Sequence, residues 1–318
     1  MEWKCRMSLF SYDKCHICLT GLINRSFCGK IETAEPQASM KKRCIAMKKQ
    51  IAWITVLVSA AALLNGCGTT VHRYSNGDQY TTGGAELTEE IDRIDIGWDC
   101  GDVEIQYHEQ DTVSFSESAN REQSDKETMR YWLDGDTLHI HYAKSGARIE
   151  SGLEKKLTLY IPEHMTEGIF EIETVSADVI INSIAARSVE VDTVSGNFTG
   201  ILKDRVYELT SDTTSGDIDV QLDTLDSFEM DSVSGNITIS AKNEVKAGSV
   251  DSVSGDFTLR LPEDASFHAE VETTSGTVQN AFDGQTNGKS GVYISGSGSN
   301  EYEIDTVSGN IFLEYENE

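Results

Sequence analysis

An all-β chain, wound as a parallel β-helix or β-solenoid with coils of about 20 residues and a less regular strand-rich N-terminal part, is what the sequence predicts. Three observations predict it. A seven-residue phrase, DTVSGNF from Asp192, returns as DTTSGDI from Asp212, DSVSGNI from Asp231, DSVSGDF from Asp251, ETTSGTV from Glu272 and DTVSGNI from Asp305. Its serines, with Ser176 of ETVSADV ahead of them, fall at 176, 195, 215, 234, 254, 275 and 308, so the intervals are 19, 20, 19, 20, 21 and 33 residues. Apolar residues recur around each serine with a period of two, which is the mark of a strand with one buried face.

The columns fill in position by position. Four before the serine stand Ile172, Val191, Ser211, Met230, Val250, Val271 and Ile304. Two before stand Thr174, Thr193, Thr213, Ser232, Ser252, Thr273 and Thr306, and three after stand Val179, Phe198, Ile218, Ile237, Phe257, Val278 and Ile311. The residues between are mostly acidic or polar, so the other face meets water. Each coil supplies a strand, a bend at Ser-Gly and a second strand. Glycine at the bend reaches backbone angles other residues resist, yet Ala177 occupies that place in the earliest copy, so the bend does not demand a positive φ. Only Pro162 and Pro262 lie beyond the leader, as hydrogen-bonded strands require. A barrel or sandwich would need hairpin turns and no such equivalence between coils; stacking like upon like does.

Ahead of the repeats the chain divides into four parts. Residues 1–46 show no periodicity and read as an extension before the true start, with Met40 and Met47 as alternative first residues; Cys15-His16-Ile17-Cys18 there lacks the further ligands of a zinc site. Residues 47–66, MKKQIAWITVLVSAAALLNG, place two lysines before an apolar run too short to span a bilayer as a helix, which suits a signal peptide. Residues 67–86 are polar and glycine-bearing and read as a flexible tether. Residues 87–165 hold strand-like segments such as IDRIDIGW, GDVEIQY, DTLHIHY and KKLTLYIP, with Cys100 in the serine place of a first coil. Regular repeats run over 166–318, with 281–301 as a coil expanded by a Gly/Ser loop.

The formal net charge is −27, and beyond residue 66 there are 16 basic against 49 acidic side chains, a net −33. Such a surface repels phosphate backbones, which excludes nucleic acid as a natural partner. Of seven cysteines only Cys67 and Cys100 lie beyond residue 66, so no disulfide framework is implied.

No catalytic constellation stands out. The repeated serines lack a G-x-S-x-G elbow and any histidine at fixed offset, and a nucleophile needs one unique arrangement rather than six copies. His139 and His141 alternate on what reads as a solvated strand face. The acidic column Asp192, Asp212, Asp231, Asp251, Glu272 and Asp305, with Asn197, Asp217, Asn236, Asp256 and Asn310 beside it, reads as a solvated ladder. Calcium is the one cofactor that those oxygens suggest.

Leu64-Asn65-Gly66-Cys67 resembles the lipobox of bacterial lipoproteins, which implies cleavage before Cys67 and a lipid on that cysteine. The T-V-S-G-N/D coils behind it, over roughly 90–318, resemble the bacterial putative-adhesin family of unknown function, itself similar to the head-GIN right-handed β-helices. That resemblance implies an extracytoplasmic, membrane-anchored protein with no catalytic residues, binding an envelope glycan or protein. An envelope-stress sensor and a carbohydrate-active β-helix enzyme are the alternatives it leaves.

Overall fold

The computed structural model describes residues 70–282, 286–288 and 290–316. The stretch 1–46, the expected signal peptide 47–66 and Cys67, the expected lipid-attachment residue, lie outside the described residues.

Period-2 alternation becomes parallel stacking. Phe198 pairs with Ile218, Ile218 with Ile237, and Ile237 with Phe257, each on the strand that follows the bend. On the strand before the bend Val189 pairs with Leu209, Leu209 with Phe228, and Phe228 with Gly248. These inward side chains are buried. Burying a side chain of this size contributes about 1.5–3 kcal/mol, which is what holds coil upon coil. Gly248 is the exception in its column: the Phe228 ring occupies the place a Cβ would take, and the Phe228 and Tyr302 rings lie 6.3 Å apart across it.

The bend explains its glycines differently from a backbone-angle requirement. Gly235 and Gly255 do have φ of 137° and 124°, but Gly196, Gly216, Gly276 and Gly309 are not among the positive-φ residues. All six share a closer constraint: a Cβ on any of them would run into the backbone carbonyl of the residue stacked against it, Ala177 for Gly196, Gly196 for Gly216 and Gly255 for Gly309. Where threonine stands two before the serine, its hydroxyl accepts the glycine N–H, as in Thr193 to Gly196 at 2.8 Å and Thr213 to Gly216 at 2.9 Å. Where serine stands there, at Ser232 and Ser252, the hydroxyl is buried with no hydrogen-bond partner, and of these six bends those are the two whose glycine turns to positive φ.

The ends of the stack depart from coils laid down in chain order. The last coil is not the end of the stack: Val250 pairs with Ile304, and Ile304 with Val271, so Asn300–Thr306 is inserted between Val245–Ser254 and Phe267–Thr273. The Gly/Ser stretch is not a plain loop, because Ser290–Ser295 runs antiparallel on Phe267–Thr273 and carries the chain back over the outermost coil. The other end closes by the same device. Arg93–His108 takes Ile169–Ala185 on one side and Thr137–His141 with Lys155–Pro162 on the other, and antiparallel strands Val113–Ala119 and Arg130–Asp134 lie outside those.

The described part of the expected tether, 70–86, is structured. Thr70–Val71 pairs with Arg148–Ile149, Thr81–Thr82 with the Arg130–Asp134 strand, and Ala85–Leu87 with Val113–Ala119. Tyr74 and Tyr80 supply the reason: their rings pack 4.6 Å apart against His141, and Tyr80 lies 5.6 Å from Trp132. A polar composition hid a few aromatic anchors.

Candidate functional site

Stacking in register turns each outward position into a column. In space the acidic column runs Glu173, Asp192, Asp212, Asp231, Asp251, Asp305, Glu272. A second runs Asp95, Glu171, Glu190, Thr210, Glu229, Ser249, Glu303, Glu270 on the same face. Strands about 4.8 Å apart bring these carboxylates close enough to repel. Burial, then Asp212, then Glu190 and Glu173 push the Asp192 carboxyl up to about 6, although a hydrogen bond from the Asp212 backbone N–H opposes them. Asp212 and Glu190 shift the same way, first through loss of water around them and then through carboxylate neighbours. Many of the cations instead pair along the corners and ends: Arg205 and Lys246 with Asp226, Lys242 with Asp223, and Lys156 with Glu104.

The face is grooved where the side chains shrink. Ala247, Gly248 and Ser249 floor a cavity of about 490 Å³ walled by Glu229, Glu270 and Glu303. Small residues on one coil between long acidic ones on its neighbours make the hollow.

The neighbouring Asn/Asp column does not act as the set of loose oxygens a calcium site would draw on. Oδ1 of Asp178 accepts the Asn197 N–H at 2.8 Å, Asn197 Oδ1 that of Asp217 at 3.0 Å, Asp217 Oδ1 that of Asn236 at 2.7 Å, and Asn236 Oδ1 that of Asp256 at 3.0 Å. Amide and carboxylate alternate, so each Asp receives a donor from the next Asn side chain as well, as from Asn197 Nδ2 at 3.1 Å. Among the described residues, no group of three or more His, Cys, Asp or Glu is arranged to hold a metal ion.

Three of the repeated serines are ladder hydroxyls. Ser195, Ser215 and Ser308 donate to the carbonyls of Val175, Val194 and Val253 on the adjoining coil. Cys100 is half-buried, and the Ser176 hydroxyl lies 3.2 Å from its Sγ. Register puts Ser176 on Cys100, as the phrase alignment expects.

The histidine pair does not sit on a solvated face. His141 is stacked under Tyr74 at 3.9 Å, and burial, then His72 and His139, hold its imidazole down at about 3. His139 stacks on Trp132, with its Nδ1 2.7 Å from Asp95; His72 Nδ1 lies 2.9 Å from Asp99. Two buried cations, Arg130 and Lys155, escaped sequence reasoning. Lys155, in the first residue of KKLTLYIP, donates to Glu117 at 2.6 Å, to the Glu127 carbonyl at 2.8 Å and to the Tyr142 carbonyl, with its ammonium 4.9 Å from the centre of the Trp98 ring. Burial outweighs Glu117 and brings its pKa down to about 8. Register stacks it on Gly101, so it closes the glycine column at the N-terminal end. Its alternation with buried leucines, Leu157 and Leu159, was the available signal.

The sequence profile of the Toastrack DUF4097 domain matches residues 91–218 and 205–314. The chain belongs to this family. The two Toastrack matches overlap within the coils around Asp212 and together span the stack just described. Solved structures similar to this Toastrack chain include a "putative cell adhesion protein" from Clostridium sporogenes, at 14% identity over 74% of this chain and 100% of that one, with a TM-score of 0.29. A "putative adhesin" from Bacteroides fragilis is similar at 15% identity over 74% and 96%, TM-score 0.42. A "putative lipid binding protein" from Parabacteroides distasonis is similar at 16% over 77% and 98%, TM-score 0.33. No curated protein matches the chain. Among the described residues, no helix is long and apolar enough to cross a membrane.

Proposed function

We propose that the protein is a lipid-anchored Toastrack module of the cell envelope that works by binding rather than by catalysis. Its working surface is the acidic face. The carrying observation is the register itself: one outward acidic position is repeated in adjoining coils, from Glu173 to Glu272, on a sheet whose other side is the core. A row of equivalent weak contacts suits a repetitive ligand, because linked contacts raise avidity without any one of them being strong. The chemistry of the row selects a ligand bearing amines or other cations at intervals, such as a basic protein segment or an amine-bearing glycan. The carboxylate neighbours that add to burial in raising these pKa values favour the same partner, since a bound cation relieves their mutual repulsion. Attachment through Cys67 would hold this face outside the membrane.

The test is binding of the full chain to envelope fractions and to immobilised polylysine across a salt series. The reading expects retention that falls steeply with salt and weakens in stages as Asp212, Asp231 and Asp251 are changed to Asn. Retention that ignores both salt and these substitutions would refute it. Radiolabelled palmitate incorporation, lost on Cys67→Ala, tests the anchor separately.

A further inference from the structure

We infer that the N-terminal end of the stack lies on anionic phospholipid headgroups through a basic patch, Arg73, Lys126, Lys144 and Arg148 around Val71. The inference builds on the reading of Cys67 as the lipid anchor. Thr70 pairs with Ile149, and three peptide steps separate it from Cys67, a reach of about 10 Å at full extension. An anchor at Cys67 therefore brings this end of the stack to the headgroup layer.

The fold gathers the patch from three segments. Val71 and Arg73 are exposed and alternate with His72 and Tyr74, which turn inward, His72 to Asp99 at 2.9 Å and Tyr74 onto the His141 ring at 3.9 Å. Antiparallel register sets Arg148 opposite Val71, and directly opposed residues of such a pair share a face. The pairing continues beyond them: the Ala147 carbonyl accepts the His72 N–H at 3.2 Å, and the His72 carbonyl accepts that of Gly146 at 2.7 Å. Lys144 then donates its backbone N–H to the Lys126 carbonyl at 3.0 Å, which brings two more cations alongside. All four charged side chains are exposed, and none of them is in an ion pair among the described residues. Val71 among them is 48% exposed.

Charge sets this end apart. Residues 70–74, 121–130 and 144–150 carry six basic against four acidic side chains, whereas the rest of the chain beyond residue 66 carries ten against 45. Of the four acids, Asp125 and Glu127 are taken up by Arg130 at 3.1 Å and Arg121 at 2.6 Å, which leaves Glu122 and Glu150 outside those pairs. The chain that repels a phosphate surface along its coils thus attracts one here. An anionic leaflet favours contact by about fivefold for each Lys or Arg near it, and an apolar side chain among cations suits the boundary between headgroups and acyl chains. The acyl chains supply attachment; the patch supplies orientation. Standing the stack on this end also carries its acidic columns beyond the screening length of about 8–10 Å, away from a surface that repels them.

The full chain, purified from membranes and reconstituted into vesicles of phosphatidylcholine alone or with phosphatidylglycerol, tests the inference. In the Val71→Trp variant, with the unsubstituted chain as blank, the indole should be quenched by brominated acyl chains in the anionic vesicles and far less in the neutral ones. Salt should remove the difference. Arg73→Glu with Arg148→Glu should lower the ratio of docked to undocked protein by about a hundredfold or more, with the thermal midpoint unmoved because both side chains are exposed. Arg73→Lys with Arg148→Lys should keep the docking, which a purely structural role of the guanidinium groups would not. Should the reversed variant not fold, Lys126→Gln with Lys144→Gln gives the same reading at about 25-fold. Equal quenching in the two kinds of vesicle, or quenching that ignores the charge variants, overturns the inference, and palmitate labelling of the same chain then shows the anchor standing without it. A chain that takes up no palmitate removes the anchor and the inference together.

Discussion

Asp256 and Asn310 are 54 residues apart in the chain and one coil apart in space: Oδ1 of Asp256 accepts the Asn310 backbone N–H at 2.8 Å and its side-chain amide at 3.0 Å. Thr277, nearer in sequence, instead donates its backbone N–H to Asn310 Oδ1 at 3.1 Å. Insertion of the last coil makes the column strictly alternating: Asp178, Asn197, Asp217, Asn236, Asp256, Asn310, with Thr277 closing it.

That alternation has an energetic consequence at Asn236, which bonds both ways. Asn236→Asp would set three carboxylates in a row and turn the 3.3 Å amide–carboxylate contact with Asp217 into a repulsion. A loss of about 1–2 kcal/mol at pH 7 follows, measured by urea unfolding. The new carboxyl would hold its proton more tightly in the fold than in the unfolded chain, so the loss shrinks as pH falls towards 4.

Gly216→Ala tests the stacking of the bend. The added Cβ meets the Gly196 carbonyl, so the coils must part, and overpacking of this kind costs about 1–3 kcal/mol or more. Ala177→Gly, at the same place in the first regular coil, should cost less than about 1 kcal/mol. Equal effects at the two sites would contradict the stacking explanation.

Asp192 sets one slope of the pH profile. Its folded pKa of about 6 lies above the ordinary value of 3.8, so the fold binds this proton more tightly than the unfolded chain does. The resulting contribution to stability is largest below pH 3.8 and is lost as pH rises through 6. Asp192→Asn should therefore stabilise the protein at pH 7 by about 2 kcal/mol and flatten its thermal midpoint between pH 4 and pH 6.

His141 sets the opposite slope. Held neutral down to about pH 3, against an ordinary 6.5, it lets the unfolded chain take up a proton that the fold refuses. Its stability contribution is complete above pH 6.5 and is lost as pH falls towards 3. His141→Phe, which keeps a ring under Tyr74, should remove that acid sensitivity while leaving the midpoint at pH 8 within a few degrees.

Much of the architecture could be read from the chain, because a stack needs equivalent side chains at equivalent places and Phe198, Ile218 and Ile237 advertise theirs. Coil order could not be read the same way. The coils of Val250, Val271 and Ile304 are alike enough that any of them fits beside any other, so hydrophobic period alone leaves their sequence in space open. The missing clue was electrostatic: Asn and Asp alternate until Thr277 breaks the pattern, and moving the Asn310 coil inward restores it. At the N-terminal end, scattered aromatics at Tyr74 and Tyr80 have no period to detect, and the burial of His141 depends on them. The acidic face was legible as a column; its groove was not, because the hollow over Ala247–Ser249 comes from long neighbours on other coils.

Paired cysteines test the coil order most directly, since adjoining residues on parallel strands lie within the reach of a disulfide and those two coils apart do not. With Cys100 changed to Ser, the full chain carrying Ser249→Cys and Glu303→Cys should form an intramolecular disulfide under mild oxidation, mapped by mass spectrometry, because these positions pair directly. Ser249→Cys with Glu270→Cys should stay reduced. The reverse outcome would place the Phe267–Thr273 coil directly on Val245–Ser254 and contradict the inserted arrangement.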